Sequence, residues 1–247
     1  MGPGGLTKTG AGNQLLSGTG TFDARTDVLE GTLSLDGGAA IEDNRDVNVA
    51  AGATLDVRSS EAIGKLGNIA DGGGTIDVDV NAVLTTGGND ASDNATTGAS
   101  TLSGQITGDG GLTHRGTGEF ILKNSVGDAV ADSDYTGPTR VENGTLTVKG
   151  GSIGDASQVT VVGSPEAGPF GTLNVHEDEV VGTVTAGGVL RIVYDRTLTA
   201  GAVDFSGQTS AAEDDAELQI SFGSLDSGQP KRGESFTPIA LSGSDAI

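Results

Sequence analysis

The sequence predicts an all-β protein wound as a parallel β-helix, one elongated solenoid over residues 1–247. Three observations predict it. Short segments alternate apolar and polar residues with a period of two, Gly-rich corners separate them, and the pattern repeats within the chain.

The alternating segments run along the whole chain. Thr32-Leu33-Ser34-Leu35, Val47-Asn48-Val49 and Thr54-Leu55-Asp56-Val57 come first, and Thr75-Ile76-Asp77-Val78-Asp79-Val80 is the longest. Thr145-Leu146-Thr147-Val148, Val159-Thr160-Val161, Thr172-Leu173-Asn174-Val175, Leu190-Arg191-Ile192-Val193-Tyr194 and Leu218-Gln219-Ile220-Ser221-Phe222 follow. Side chains of a strand alternate between its faces, so each segment turns Leu, Ile or Val inward and Thr, Ser, Asp or Asn outward. The expected inward set is Leu33, Leu35, Leu55, Val57, Ile76, Val78, Leu146, Val148, Leu173, Val175, Leu190 and Ile192. Gly37-Gly38, Gly72-Gly73-Gly74, Gly87-Gly88, Gly110-Gly111, Gly150-Gly151 and Gly187-Gly188 mark corners. Helix signals are confined to Ser59–Leu66 and Ser210–Glu217, and neither carries an apolar stripe.

Composition narrows the function classes. The 247 residues include 43 Gly and carry a net charge of −21 from 13 Lys and Arg against 34 Asp and Glu. Such acidity repels phosphate backbones and argues against nucleic acid as a partner. With 0 Cys there is no disulfide scaffold, Cys-ligated zinc, iron–sulfur cluster or thiol nucleophile. No apolar run approaches the ~18 residues of a membrane-spanning helix. Only 34% of residues are hydrophobic and 3% aromatic. That suits a narrow column of Leu, Val and Ile better than a broad core.

Gly4-Gly5-Leu6-Thr7 with Gly10-Ala11-Gly12 recurs as Gly110-Gly111-Leu112-Thr113 with Gly116-Thr117-Gly118. Val28-Leu29-Glu30-Gly31-Thr32-Leu33 recurs as Val141-Glu142-Asn143-Gly144-Thr145-Leu146, and Glu61-Ala62-Ile63-Gly64-Lys65-Leu66 as Glu179-Val180-Val181-Gly182-Thr183-Val184. The copies span about 4–109 and 110–247. Their offset drifts, so corners accept insertions while strand order is kept. In a β-helix each coil stacks on the last at ~4.8 Å, which gives every strand two neighbours.

Gly5-Leu6-Thr7-Lys8-Thr9-Gly10-Ala11-Gly12 followed by Val28 to Leu35 resembles the autotransporter-associated β-strand repeat. The second copy is closer: Gly110-Gly111-Leu112-Thr113, Gly116-Thr117-Gly118, then Tyr135-Thr136-Gly137-Pro138-Thr139-Arg140-Val141-Glu142-Asn143-Gly144-Thr145-Leu146-Thr147-Val148. Ala62-Ile63-Gly64-Lys65-Leu66 and Gly233-Glu234-Ser235-Phe236-Thr237-Pro238-Ile239 are similar to further segments of such passengers. In the first copy Phe22-Asp23-Ala24-Arg25 replaces the Tyr-Thr-Gly turn. The resemblance implies a right-handed β-helical passenger on a Gram-negative surface, exported through a C-terminal β-barrel, with this chain a segment of a longer passenger. At ~20–25 residues per coil the chain makes about ten coils and a rod of roughly 50 Å.

Candidate chemistry is sparse. Asp77 and Asp79, at i and i+2, share one strand face as paired carboxylates of glycosidic acid/base work would. No base or His lies near them in sequence, so they read as a solvated face. His176-Glu177-Asp178-Glu179 offers oxygen ligands for a weak divalent-cation site, and Asp71-Gly72-Gly73-Gly74-Thr75-Ile76-Asp77 departs from the calcium-binding Gly-Gly-x-Gly-x-Asp repeat at Thr75. Both read as surface turns. His114 is the only other histidine, and two histidines make neither a zinc motif nor a triad. The pairs Thr7/Thr9, Thr145/Thr147, Thr183/Thr185 and Thr197/Thr199 would form an ice- or glycan-binding ladder only if they stacked on one face; their spacing is irregular. Asn94-Ala95-Thr96 and Asn143-Gly144-Thr145 match glycosylation sequons by chance in a Thr-rich chain.

The expected function is a non-enzymatic structural or adhesive segment of an extracellular, surface-displayed protein, with no catalytic, cofactor or metal residues. Its expected partners are further copies of itself or host and environmental surface glycans, without membrane insertion. The alternatives are a carbohydrate-active β-helix (lyase or hydrolase) and an inert spacer presenting another domain.

Overall fold

The computed structural model describes residues 4–70, 72–88, 98–123, 132–163, 171–193 and 196–205, together with the backbones of 217–221 and 239–241. Twenty-five strands, numbered in chain order, make five sheets among the described residues. Sheet A holds β1 (Leu6–Lys8), β3 (Thr26–Val28), β5 (Val47–Ala50) and β8 (Leu66–Ile69). Sheet B holds β2 (Asn13–Ser17), β4 (Thr32–Asp36), β6 (Thr54–Val57), β9 (Thr75–Val78) and β12 (Gln105–Thr107). Sheet C holds β7 (Glu61–Ile63), β10 (Val83–Thr86), β13 (Gly111–His114), β15 (Thr139–Val141), β17 (Gln158–Val161), β20 (Thr183–Ala186) and β23 (Val203–Asp204). Sheet D holds β11 (Ser100–Leu102), β14 (Glu119–Lys123), β16 (Gly144–Lys149), β18 (Gly171–Val175), β21 (Val189–Val193) and β24 (Glu217–Ser221). Sheet E holds β19 (Glu179–Val181), β22 (Leu198–Ala200) and β25 (Ile239–Leu241).

Consecutive strands lie in different sheets, and partners within a sheet are parallel. That is the topology of a solenoid, in which each turn of chain adds one strand to each sheet. Thr32 stands in register with Thr54, and Thr54 with Thr75, so these early coils keep to the expected length. Later coils depart from it in both directions. Thr75 pairs with Gln105 across a longer coil, and Thr172 with Val189 across a shorter one. The variation falls between the strands, where length is thermodynamically cheap.

All twelve expected inward residues are buried, none more than 1% exposed. They form columns in register. Leu33, Leu55, Ile76 and Ile106 stack in sheet B, and Phe120, Leu146, Leu173 and Leu190 in sheet D. Burying one such side chain is worth roughly 1.5–3 kcal/mol, which outweighs the weak intrinsic preferences of such short strands. Ser59–Leu66 is not helical. It is β7, a corner at Gly64-Lys65 and the start of β8, because Glu61 and Ile63, on either side of Ala62, both turn inward. Ser210–Glu217 lies outside the described residues except for Glu217 in β24.

Sheet A gives way to sheet D at β8 and β11, which lie side by side and are clamped by Asn68. Its Nδ2 donates to Ser103 Oγ (2.9 Å) and its Oδ1 accepts from Ser103 N (2.9 Å). The internal repeat is out of step with the coil. Leu6 opens the first copy in sheet A, whereas Leu112 opens the second in sheet C; Leu33 lies in sheet B and its counterpart Leu146 in sheet D. Equivalent residues of the two copies therefore face different sides of the stack.

Candidate functional site

Among the described residues, three carboxylates cluster on sheet B. Asp56 of β6 and Asp77 of β9 are register neighbours, and Asp79 follows β9 directly. Carboxylate oxygens of the three lie within 4.8 Å of one another. Ser34 Oγ donates to Asp56 Oδ2 (2.6 Å), and Thr107 Oγ1 to Asp77 Oδ1 (3.1 Å), so hydroxyls from the coils on either side hold the row. Arg58 Nε donates to Asp56 Oδ2 at 2.9 Å. The hydrogen bond to Asp56, its charge, and those of Asp79 and Asp36 hold the guanidinium protonated more firmly than usual. Three carboxylates with one resident cation leave the row negative. Its oxygens suit a hard divalent cation, with Arg58 occupying the same field.

The structure brings Asp77 and Asp79 together, as their spacing predicts, and adds Asp56 from the coil before. The signal for Asp56 was the register of Thr54–Val57 over Thr75–Val78. His176, Glu177, Asp178 and Glu179 do not converge. His176 and Asp178 are exposed, Asp178 Oδ1 accepts from Thr197 N (2.8 Å), and Glu179 turns into the interior. Asp71 and Asn94 lie outside the described residues. Asn143 is buried, with Oδ1 accepting from Gly144 N (2.7 Å). The named Thr pairs fall on sheets A, D, C and E, so they build no common ladder. Thr32, Thr54 and Thr75 do stack in one column of sheet B.

Gly31 and Gly144 hold equivalent, close positions. Both have positive φ, 66° and 64°. A Cβ on Gly31 would meet the carbonyl oxygens of Gly10 and Gly12 at 2.5 Å; one on Gly144 would meet that of Gly118 at 2.5 Å and that of Gly116 closer still. Only glycine fits the backbone angle and the gap. The Gly-x-Gly loop of one coil is thus seated under the Gly-Thr-Leu step of the next, twice in the chain. A model of the passenger-associated-transport-repeat matches residues 6–35 and 112–148, which span these two loop-and-step pairs. Two stretches of the chain are thus similar to this passenger repeat. No curated protein and no solved structure matches the chain.

Each passenger repeat places a base beneath its glycine loop. Lys8 in β1 is buried, with Nζ donating to the carbonyls of Thr9 (3.1 Å), Gly10 (2.6 Å) and Glu30 (2.8 Å). His114 takes the position in the second repeat. Its Nε2 donates to Gly118 O (3.2 Å), so Nδ1 accepts from Thr86 Oγ1 (3.1 Å). Burial pushes this imidazole down to about 4, so it stays neutral at physiological pH. The Tyr-Thr-Gly-x-Thr step of the second repeat also has a structural reason. The buried Tyr135 hydroxyl meets Thr139 Oγ1, which meets Ser157 Oγ (2.8 Å), which donates to Gly137 O (2.9 Å).

Two carboxylates are buried where the sequence did not place them inside: Glu61, given no role, and Glu179, assigned to a surface turn. Glu61, 2% exposed, accepts from Ala40 N (3.2 Å) and Ile41 N (2.7 Å); Glu179, 2% exposed, accepts from Ser152 N (3.3 Å), Ser152 Oγ (3.4 Å) and Ile153 N (3.0 Å). They are the same residue of the two long repeat copies. The recurrence of Glu61 as Glu179 was the available signal.

Proposed function

We propose that the chain is a β-helical segment of an autotransporter passenger, displayed outside a Gram-negative cell as a non-enzymatic structural or adhesive stalk. The single observation that carries this reading is the pair of passenger repeats, each built into contacts between successive parallel coils. In this reading the coils wind right-handed into one rod of roughly 50 Å, set by ~4.8 Å per coil. Its outward rows of Thr, Asn and Asp offer many weak contacts, which give avidity when many copies are displayed on one cell. The partners are further copies of the chain or surface glycans. The charge of −21 opposes self-association at low salt, and screening or divalent cations relax that opposition.

Cell-settling assays with and without the displayed segment, across a salt and calcium series, test this. Settling that rises with salt or cation supports the stalk-adhesin reading. Settling unchanged at every salt leaves the inert-spacer role instead. Reducing-end and unsaturated-product assays on pectin and alginate are expected to stay blank, and turnover lost in Asp77→Asn overturns the non-enzymatic reading.

A further inference from the structure

β8 ends sheet A and β11 begins sheet D, so these two strands lie side by side with no ladder between them. A cleft of about 390 Å³ opens at this break. Two outward rows of sheet A lead into it. Asp27, Asn48 and Gly67 are register neighbours on successive coils, and Arg25, Asp46 and Lys65 stand two places before them, on the same side. Gly67 makes the room. It adds no side chain to its row, and Asn48 Oδ1 lies 2.8 Å from where its Cβ would stand, with the carbonyl oxygen of Thr101 in β11 at 3.7 Å. Nδ2 of Asn48 donates to Asp27 Oδ1 (3.1 Å), whereas its Oδ1 accepts no hydrogen bond among the described residues. The chain carries −21 overall, yet around this cleft two cations, Arg25 and Lys65, stand against two carboxylates, Asp27 and Asp46.

We propose that this cleft binds a uronate unit of an acidic glycan, an inference that rests on the surface-glycan partner proposed above and names its site. Arg25 is 63% exposed and uses its Nε on Asp27 (2.9 Å), which leaves its Nη donors facing outward. A guanidinium takes a carboxylate through paired, charge-assisted hydrogen bonds, and Lys65 brings a second positive charge to the other end of the same row. Asn48 Oδ1 supplies an acceptor over the floor at Gly67, and Thr101, at an outward position of β11, supplies a hydroxyl on the facing wall. An acceptor, a hydroxyl and an anion-binding fork around one floor match the hydroxyls and the carboxylate of a uronate ring. A polyphosphate carries more charge than two cations already opposed by two carboxylates can offset. The volume of about 390 Å³ is near the lower end for ligand sites, roughly 300–1,000 Å³, so the cleft engages a short stretch of glycan.

Amide NMR titration of the intact chain with digalacturonate, and with its methyl ester, tests the site. The acid is expected to shift the amides of Lys65–Asn68 and Ala99–Thr101. The ester, which keeps the hydroxyls and loses the charge, is expected to bind about tenfold more weakly or less, as is the acid to Arg25→Gln. Gly67→Ala keeps every charge and fills the floor, its Cβ crowding only the movable end of Asn48, and is expected to weaken binding of the acid likewise. No shift with the acid, equal binding of acid and ester, or binding left intact by both variants overturns the proposal. Cell settling separates this outcome from the stalk reading. Settling that rises with salt in a chain that binds no uronate removes the cleft alone, whereas uronate binding with settling unchanged at every salt upholds the cleft and removes the adhesive role.

Discussion

The hydroxyl of Tyr135 lies 2.5 Å from Thr139 Oγ1, four positions along and deep in the core. The first passenger repeat has Phe22 and Thr26 at the same spacing, and there Thr26 Oγ1 is buried with no hydrogen-bond partner. Thr139 is satisfied by the hydroxyls of Tyr135 and Ser157, whereas the first repeat has no hydroxyl at the position of Tyr135. Phe22→Tyr is expected to stabilise the chain by about 0.5–1.5 kcal/mol, and Tyr135→Phe to destabilise it by about as much. Urea melts of both variants measure this. A loss in Phe22→Tyr would show that the two turns differ in more than the hydroxyl.

Leu146 sits between Phe120 and Leu173 in its column, fully buried. Leu146→Ala is expected to cost about 2–5 kcal/mol, and Leu146→Asp more, because its carboxylate would have no partner. Thr145→Ala, on the outer face, is expected to cost well under ~1 kcal/mol. Equal losses for Leu146→Ala and Thr145→Ala in denaturant melts would contradict the assignment of faces.

Gly144 has both a left-handed backbone and no room for a Cβ above Gly116 and Gly118. Gly144→Ala is expected to destabilise by about 2–4 kcal/mol, from the backbone angle plus displacement of the loop beneath. Gly12, where a Cβ would meet nothing within 4 Å, provides the contrast. Gly12→Ala is expected to be nearly neutral in a thermal melt.

Arg58 is the cation resident among Asp36, Asp56 and Asp79. Arg58→Gln leaves those carboxylates facing one another, so the melting temperature of the variant is expected to climb more steeply with sodium chloride than that of the unaltered chain. Calcium is expected to substitute for part of the salt effect in the variant. Parallel salt dependences would show that Arg58 does not compensate the acidic row.

The inward face was legible because period-two alternation survives even in very short strands, as Thr54–Val57 shows. The outward face was less so. Ser34 and Thr147 lie at outward positions yet are buried, because neighbours on adjacent coils cover them. Ser34 meets Asn13 and Asp56, and Thr147 meets Glu119 and Asn174. Lateral contacts of this kind join residues about 20–30 positions apart, a distance fixed by corner lengths that no local pattern encodes. The burial of Glu61 and Glu179 was not legible for a different reason. Glutamate is rarely buried without a partner, and the partners here are backbone N–H groups that exist only once the coils stack. Asp77 and Asp79 were legible as a pair, since one strand carries both, whereas the addition of Asp56 needed the register between strands.

Parallel stacking in this register is the claim on which the rest depends, and cross-linking tests it most directly. The chain contains 0 Cys, so introduced pairs are unambiguous. Thr54 and Thr75 are register neighbours on adjacent coils, ~4.8 Å apart across the sheet, within reach of a disulfide. Thr32 and Thr75 are separated by two coils, about 10 Å, beyond that reach. Under mild oxidation the Thr54→Cys/Thr75→Cys variant is expected to form an intramolecular disulfide while Thr32→Cys/Thr75→Cys stays reduced. Cross-linking of the second pair but not the first would contradict the coil register.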